Sequence, residues 1–304
     1  MASSRNVIPA VQFSAEALNQ SFEAFLVPDA DRYLMLKTLL EKLRLSHAVV
    51  SICGNRHFLI APGNVSYACI NSAILLVAHY DRVSGSPGAN DNSAAVFELL
   101  DAAISLRRER INDWLIIFTD KEELVHGERL IDQGSYSLAK KLFTSRRGRP
   151  KVFIFDACGS GDTLVISTTA EYLLKNEYCA GGAHTRILLR QLRSRALETT
   201  RRLHIERVCL IPTPFSDDAG FLRAGLAAQT ITVLPANEAA AFTALVRKAP
   251  VYIDALFKHD VPTSLETSLI PQTWRRLNSP DDTRPYLTPQ YFSEVTRFIR
   301  GLCE

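Results

Sequence analysis

Four short stretches of the chain concentrate side chains able to hold a metal ion or move a proton. They are His79-Tyr80-Asp81, Asn90-Asp91-Asn92, Glu122-Glu123 and Asp156. Imidazole and carboxylate are good zinc ligands, and a catalytic zinc keeps three protein ligands plus water. Asp81, two residues after His79, can hold the other ring nitrogen and fix the tautomer. Adjacent Glu122 and Glu123 can divide the work, one binding metal and the other accepting a proton from metal-bound water. Singly, none of these is specific. A lone His after a strand is usually a packed rim residue, a Glu-Glu pair is usually solvated, and Asp91-Asn92 alone is a turn or cap signal. The signal is their ordered occurrence after successive apolar runs.

Those runs are the elements that must position the chemistry. Apolar stretches at 73–78, 114–118 and 151–155 read as strands buried on both faces. Each leads directly into one of the polar groups, and open α/β sheets bind ligands outside the carboxyl ends of their strands. Further strands are predicted at 48–52, 58–61, 207–211 and 230–234. Helical spacing marks 15–45, 93–108, part of 127–142, 184–198 and 289–302, with a helix ending within 221–226. Alternating strands and helices predict an α/β fold with a largely parallel central sheet. The chain reads as one domain over 1–304, with a loose arm at 1–14 and an insertion at about 236–273 over the sheet's edge or mouth.

Composition narrows the partners. Hydrophobic residues make up 47% and charged residues 22% of the 304, which excludes a disordered or fibrous chain. Mean hydropathy is +0.01, and no apolar run approaches the ~18 residues of a membrane span. Lys+Arg is 35 against 32 for Asp+Glu, a net charge of +3 that offers no footprint for nucleic acid. The basic runs 146–149 and 201–202 read as solvated surface. Residues 1–13 lack the apolar core of a secretory signal, and none of the six cysteines forms a C-x-x-C pair. The expectation is a cytoplasmic protein with free thiols. Cys158 reads as a small buried residue, 159–161 as a turn, and Trp114 and Trp274 as core, rim or pocket lining.

The segments AHYDRVSGSPGANDNSAA (78–95), FTDKEEL (118–124), FIFDACGSGD (153–162), PFSDDAGFLRAG (214–225) and NSPDDT (278–283) carry a family likeness. Together they resemble the co-catalytic zinc aminopeptidases of metallopeptidase clan MH, which include the animal glutaminyl cyclases. The resemblance implies a three-layer sandwich, with a mostly parallel, mixed central sheet and helices on both faces. It implies a metal-dependent aminopeptidase acting on peptide substrates, with one or two zinc ions. His79, Asp91 and Asp156 would hold the first zinc, with Asp81 orienting His79. Asp91 would bridge to a second zinc bound by Glu123. Glu122 would be the general base acting on zinc-bound water. Asp217, by position, would help hold the substrate amine, and the Asp91-Asn92 peptide would be cis.

Two positions depart from the family pattern. Asn278 stands where the last zinc-binding His is expected, and Asp218 replaces the His of a Ser-Asp-His segment. Asn offers only a neutral amide oxygen, so the second site is predicted to be weaker and the first to be filled more readily. Asp281, Asp218, His126 or His259 are candidate replacements. Because the cyclases are expected to use the second site, the damage there favours peptide hydrolysis over cyclisation. It also raises the alternative of a non-catalytic relative.

Overall fold

The computed structural model describes residues 15–63, 73–142, 150–175, 183–248 and 270–304. The expected arm at 1–14, the basic run at 146–149, His259 and the 249–269 part of the expected insertion lie outside the described residues.

The chain opens with helices α1 (Ala15–Phe25) and α2 (Arg32–Lys42), then the hairpin β1 (His47–Ile52) and β2 (Asn55–Ile60). There follow β3 (Ile74–His79), α3 (Ala94–Arg108), β4 (Trp114–Thr119), α4 (Gly134–Leu142) and β5 (Lys151–Phe155). Next come β6 (Thr163–Ser167), α5 (Thr169–Lys175), α6 (Ala183–Arg202), β7 (Val208–Ile211) and α7 (Asp217–Arg223). The last elements are β8 (Ala228–Leu234), α8 (Ala236–Lys248), α9 (Gln272–Arg276) and α10 (Pro289–Cys303).

The eight strands form one sheet in the order β1-β2-β4-β3-β5-β8-β6-β7. Its centre, β4-β3-β5-β8, is parallel. The hairpin is antiparallel at one side, and β6 is antiparallel to β8 at the other. β3 shows why helices cover both faces. Every residue of Ile74–His79 is buried. Its even-numbered side chains, Ile74, Leu76 and Ala78, pack with Val96, Leu99 and Leu100 of α3 and Phe298 and Ile299 of α10. Its odd-numbered Leu75 and Val77 pack with Leu138 of α4 and Phe221 of α7. Period-two alternation with both faces apolar requires a layer on each side. The fold is therefore the three-layer α/β sandwich with a mostly parallel, mixed sheet.

Three differences from the sequence reading have local causes. The expected helical span 15–45 is two helices, because Asp31 starts α2 afresh by accepting a hydrogen bond from the Leu34 N–H at 2.9 Å. β6 and α5 were not predicted; β6 is only five residues and follows directly on the 159–161 turn. Within 236–273, residues 236–248 form α8, whose Ala239 and Phe242 pack with Val165 of β6, Ile211 of β7 and Trp274 of α9.

Sheet register sets the site. His79 pairs with Thr119 across β3 and β4, so the 120–123 loop leaves beside the imidazole. Val77 pairs with Ile154 across β3 and β5, which brings Asp156, two residues on, level with His79.

Candidate metal centre

His79 ends β3 fully buried, and three carboxylates surround its ring. Nε2 lies 3.1 Å from Asp91 Oδ1 and 3.6 Å from Asp156 Oδ1, while Nδ1 lies 3.4 Å from Asp81 Oδ1. Burial alone would depress the imidazole pKa; the carboxylates of Asp156, Asp81 and Asp91 outweigh it and hold the value well above the ordinary one.

Asp81 is tied on both oxygens. It accepts the Glu122 N–H at 3.2 Å and the Glu123 N–H at 3.1 Å, so one carboxylate sets both the imidazole and the Glu122-Glu123 loop. Asp91 stands in a wide turn at 89–93 with a cis Asp91-Asn92 peptide, as the resemblance implied. The turn is fixed by its neighbours. Asp282 accepts the Asn90 and Asp91 N–H groups at 2.8 and 2.9 Å. Asn92 donates to Phe155 O at 2.9 Å and accepts from Ala157 N at 3.3 Å, locking the turn to the end of β5 where Asp156 sits. Gly88 opens this turn at φ 60°, and a Cβ there would meet Asp91 O at 2.5 Å.

Glu122 is buried, and Gln133 donates to its Oε1 at 3.0 Å. Desolvation, together with the charges of Glu123, Asp156 and Asp217, pushes its pKa well above the carboxylate range against the pull of His79. Glu123 is raised in the same way, by burial and then by Asp91. Asp217 lies fully buried at the start of α7, accepts from Thr119 Oγ1, and is raised to about 6 mainly by desolvation. It is not among the residues lining the cleft, whereas Asp91, Glu122 and Asp156 are.

That cleft measures about 180 Å³ and continues past Thr213, Phe215 and Trp274 to Asn278. Asn278 is exposed, on a turn with φ 60°. Of the candidate replacements for the missing imidazole, His126 and Asp281 are exposed, and Asp218 is buried against the Ser216 N–H. None of these three joins a ligand cluster among the described residues. Trp114, by contrast, is core at 1% exposure, and Cys158 is buried as expected.

The donor set fits a cation. One ligand atom each from His79, Asp91 and Asp156 lies within 4.8 Å of the others, and His79, Glu122 and Glu123 form a second such group. His79 Nε2, Asp156 Oδ1 and Glu123 Oε1 are buried without hydrogen-bond partners among the described residues. Tetrahedral zinc with ligands at about 2.0–2.1 Å spaces them by roughly 3.3 Å, between the two Nε2 separations above.

Sequence reasoning missed the brace behind this centre. Arg32, at the start of α2, is 5% exposed and forms no ion pair among the described residues. It donates to Tyr80 O and Asp81 O at 3.2 Å each, to Pro87 O at 2.8 Å and Gly88 O at 3.2 Å, and to Ser93 Oγ at 2.8 Å. One guanidinium thus joins the segment after His79 to the turn holding Asp91. Burial and the nearby Arg82 lower its pKa to about 9. Nothing in the local sequence separates Arg32 from a solvated arginine. Asp282 and Gln133 were likewise unassigned.

The sequence model of peptidase family M28 matches residues 61–253. No relative is found among curated protein sequences. Among solved structures, a glutaminyl cyclase of Porphyromonas gingivalis is 15% identical with TM-score 0.59, covering 95% of this chain and 98% of that one. An aminopeptidase of Legionella pneumophila, 14% identical with TM-score 0.60, covers all of this chain and 77% of its own. A zinc aminopeptidase of Bacillus subtilis is 16% identical with TM-score 0.52, and the match spans 81% of this chain but only 49% of that protein.

Proposed function

The chain belongs to peptidase family M28, and from that premise we propose that it is a metal-dependent, aminopeptidase-like hydrolase of peptide bonds. The observation that carries the reading is the buried His79 Nε2, without a hydrogen-bond partner among the described residues and flanked by Asp91 and Asp156.

His79, Asp91 and Asp156 would hold the first zinc, with Asp81 against His79 Nδ1. Glu123 with Asp91 would form a second, weaker position, because Asn278 supplies only an amide. Bound zinc would supply Lewis acidity toward the scissile carbonyl and toward water. Glu122 is the general base: its burial and neighbouring charges raise its proton affinity above that of an ordinary carboxylate, and Gln133 holds its Oε1. It takes a proton from the attacking water and delivers it to the leaving amine. Asp217 acts through its field, which helps keep Glu122 basic and the region attractive to a substrate ammonium.

The substrate is the amino end of a peptide. No helix among the described residues is long and apolar enough to cross a membrane. The free thiols Cys53, Cys158, Cys209 and Cys303 suit a reducing, cytoplasmic setting.

Metal content by elemental analysis, with hydrolysis of aminoacyl reporter substrates, tests the proposal. Glu122→Gln is expected to keep its metal and lose about 10²–10⁴-fold in rate. A protein that stays metal-free and inactive after zinc or manganese is added is a non-catalytic relative. Cyclisation of an N-terminal glutaminyl peptide without hydrolysis makes it a cyclase.

A further inference from the structure

Glu98 lies on α3, seven residues beyond Asp91, with 2% of its surface exposed. Neither of its carboxylate oxygens has a hydrogen-bond partner among the described residues. A buried acid left unpaired is costly, so one in a packed helix calls for a partner.

Glu98 lines a cavity of about 410 Å³ between α1, α3 and α10, together with Leu18, Phe22, Phe97, Leu287 and Phe292. None of these residues lines the cleft of the metal centre. The size falls within the ~300–1,000 Å³ of small-molecule sites, and mostly apolar walls with a few placed polar groups are their usual make-up. Asp101 and Arg284 also line the cavity, and Arg284 is already paired with Glu23 and donates to Asn19 at 2.9 Å.

We propose that this cavity is a second ligand site, for a primary amine on an alkyl or aryl body, with its ammonium on Glu98 and its apolar part among the Phe and Leu side chains. An ammonium brings three donors to a group that, once ionised, only accepts. It also neutralises the charge where water cannot. An alcohol brings no positive charge to favour the ionised acid, and an anion repels it. The Glu98 carboxyl is held well above its ordinary pKa by burial and then by Asp101, as suits an acid that ionises fully only beside a cation.

Calorimetric titration with 2-phenylethylamine tests the site. For a ligand of nine heavy atoms the expected Kd is roughly 0.5 mM. Glu98→Gln is expected to weaken binding at least about tenfold. Phe292→Trp, which fills the cavity without touching the acid, does the same and serves if the first variant folds poorly. Glu122→Gln, in the acidic cleft, leaves the affinity unchanged. 2-Phenylethanol and phenylacetate bind at least about tenfold more weakly than the amine. The assignment is overturned by any of three results: no binding at millimolar amine, equal binding in both cavity variants, or loss of binding in Glu122→Gln.

Discussion

The two ends of the acid-lined cleft are built by different means. At the end formed by β3 and β5, the segments that carry the ligands are tied to one another. Asp81 joins His79 to the backbone of Glu122 and Glu123, Asn92 ties the Asp91 turn to Phe155 and Ala157, and Arg32 binds the two loops from behind. At the end toward α9, the expected imidazole is replaced by Asn278, an exposed residue on a left-handed turn. The first end is woven into the sheet and its loops, so a change there disturbs the fold as well. The second rests on one side chain at the surface and can be altered with little structural cost. Loss of a ligand is therefore more tolerable at the second end, where Asn278, one of the two departures from the family pattern, lies.

Breaking the brace should give the largest effect. Arg32→Met removes the donors to four loop carbonyls and to Ser93 Oγ while retaining an apolar stem. Destabilisation by about 3–5 kcal/mol is expected, since buried acceptors lose a charged partner. Zinc affinity should fall by about 10–100-fold, the usual cost of losing support behind a ligand. Urea unfolding and zinc titration against a competing chelator measure the two separately. A folded Arg32→Met protein with undiminished zinc affinity would show that the first end does not need the brace.

Restoring the second end should sharpen the contrast. Asn278→His returns an imidazole to the cleft wall. Its φ of 60° is a value that His tolerates better than most residues. The expected result is a rise in bound zinc from about one toward two per chain, with the second ion held at least about tenfold more tightly than in the parent. Unchanged stoichiometry by elemental analysis would mean that the weakness of this end lies beyond Asn278.

What could be read from the sequence follows the same division. β3, β4 and β5 were legible because fully apolar runs of strand length have few other uses, and the groups following them were legible because ligands gather at strand ends. The family likeness supplied the turn at Asp91 and the departure at Asn278. β6 escaped notice because five residues after a turn carry too little pattern. Arg32 escaped because its role comes from contacts with residues 48 to 61 positions away, which no local spacing records. Asp217, which the resemblance put at the substrate amine, is fully buried at the start of α7 and is not among the residues lining the cleft. Its depth comes from packing, which the sequence does not record.

Asp218 provides the smallest and most local test. This acid, the other departure from the family pattern, is fully buried and accepts the Ser216 N–H at 3.2 Å. Desolvation raises its pKa from 3.8 to about 7. The folded chain therefore binds this proton more tightly than the unfolded chain does. The associated stability is present below pH 3.8 and is lost as pH rises through about 7. Asp218→Asn keeps an acceptor oxygen but cannot ionise, so the variant should gain on the parent by about 1 kcal/mol between pH 5 and pH 8, after discounting relaxation around the charge. Urea midpoints of the metal-free proteins at the two pH values give this difference directly, with other titrating groups common to both. Parallel pH dependence of parent and variant would mean that Asp218 ionises in the folded state without penalty. Asp218 would then be a less costly occupant of the family's His position than its burial implies.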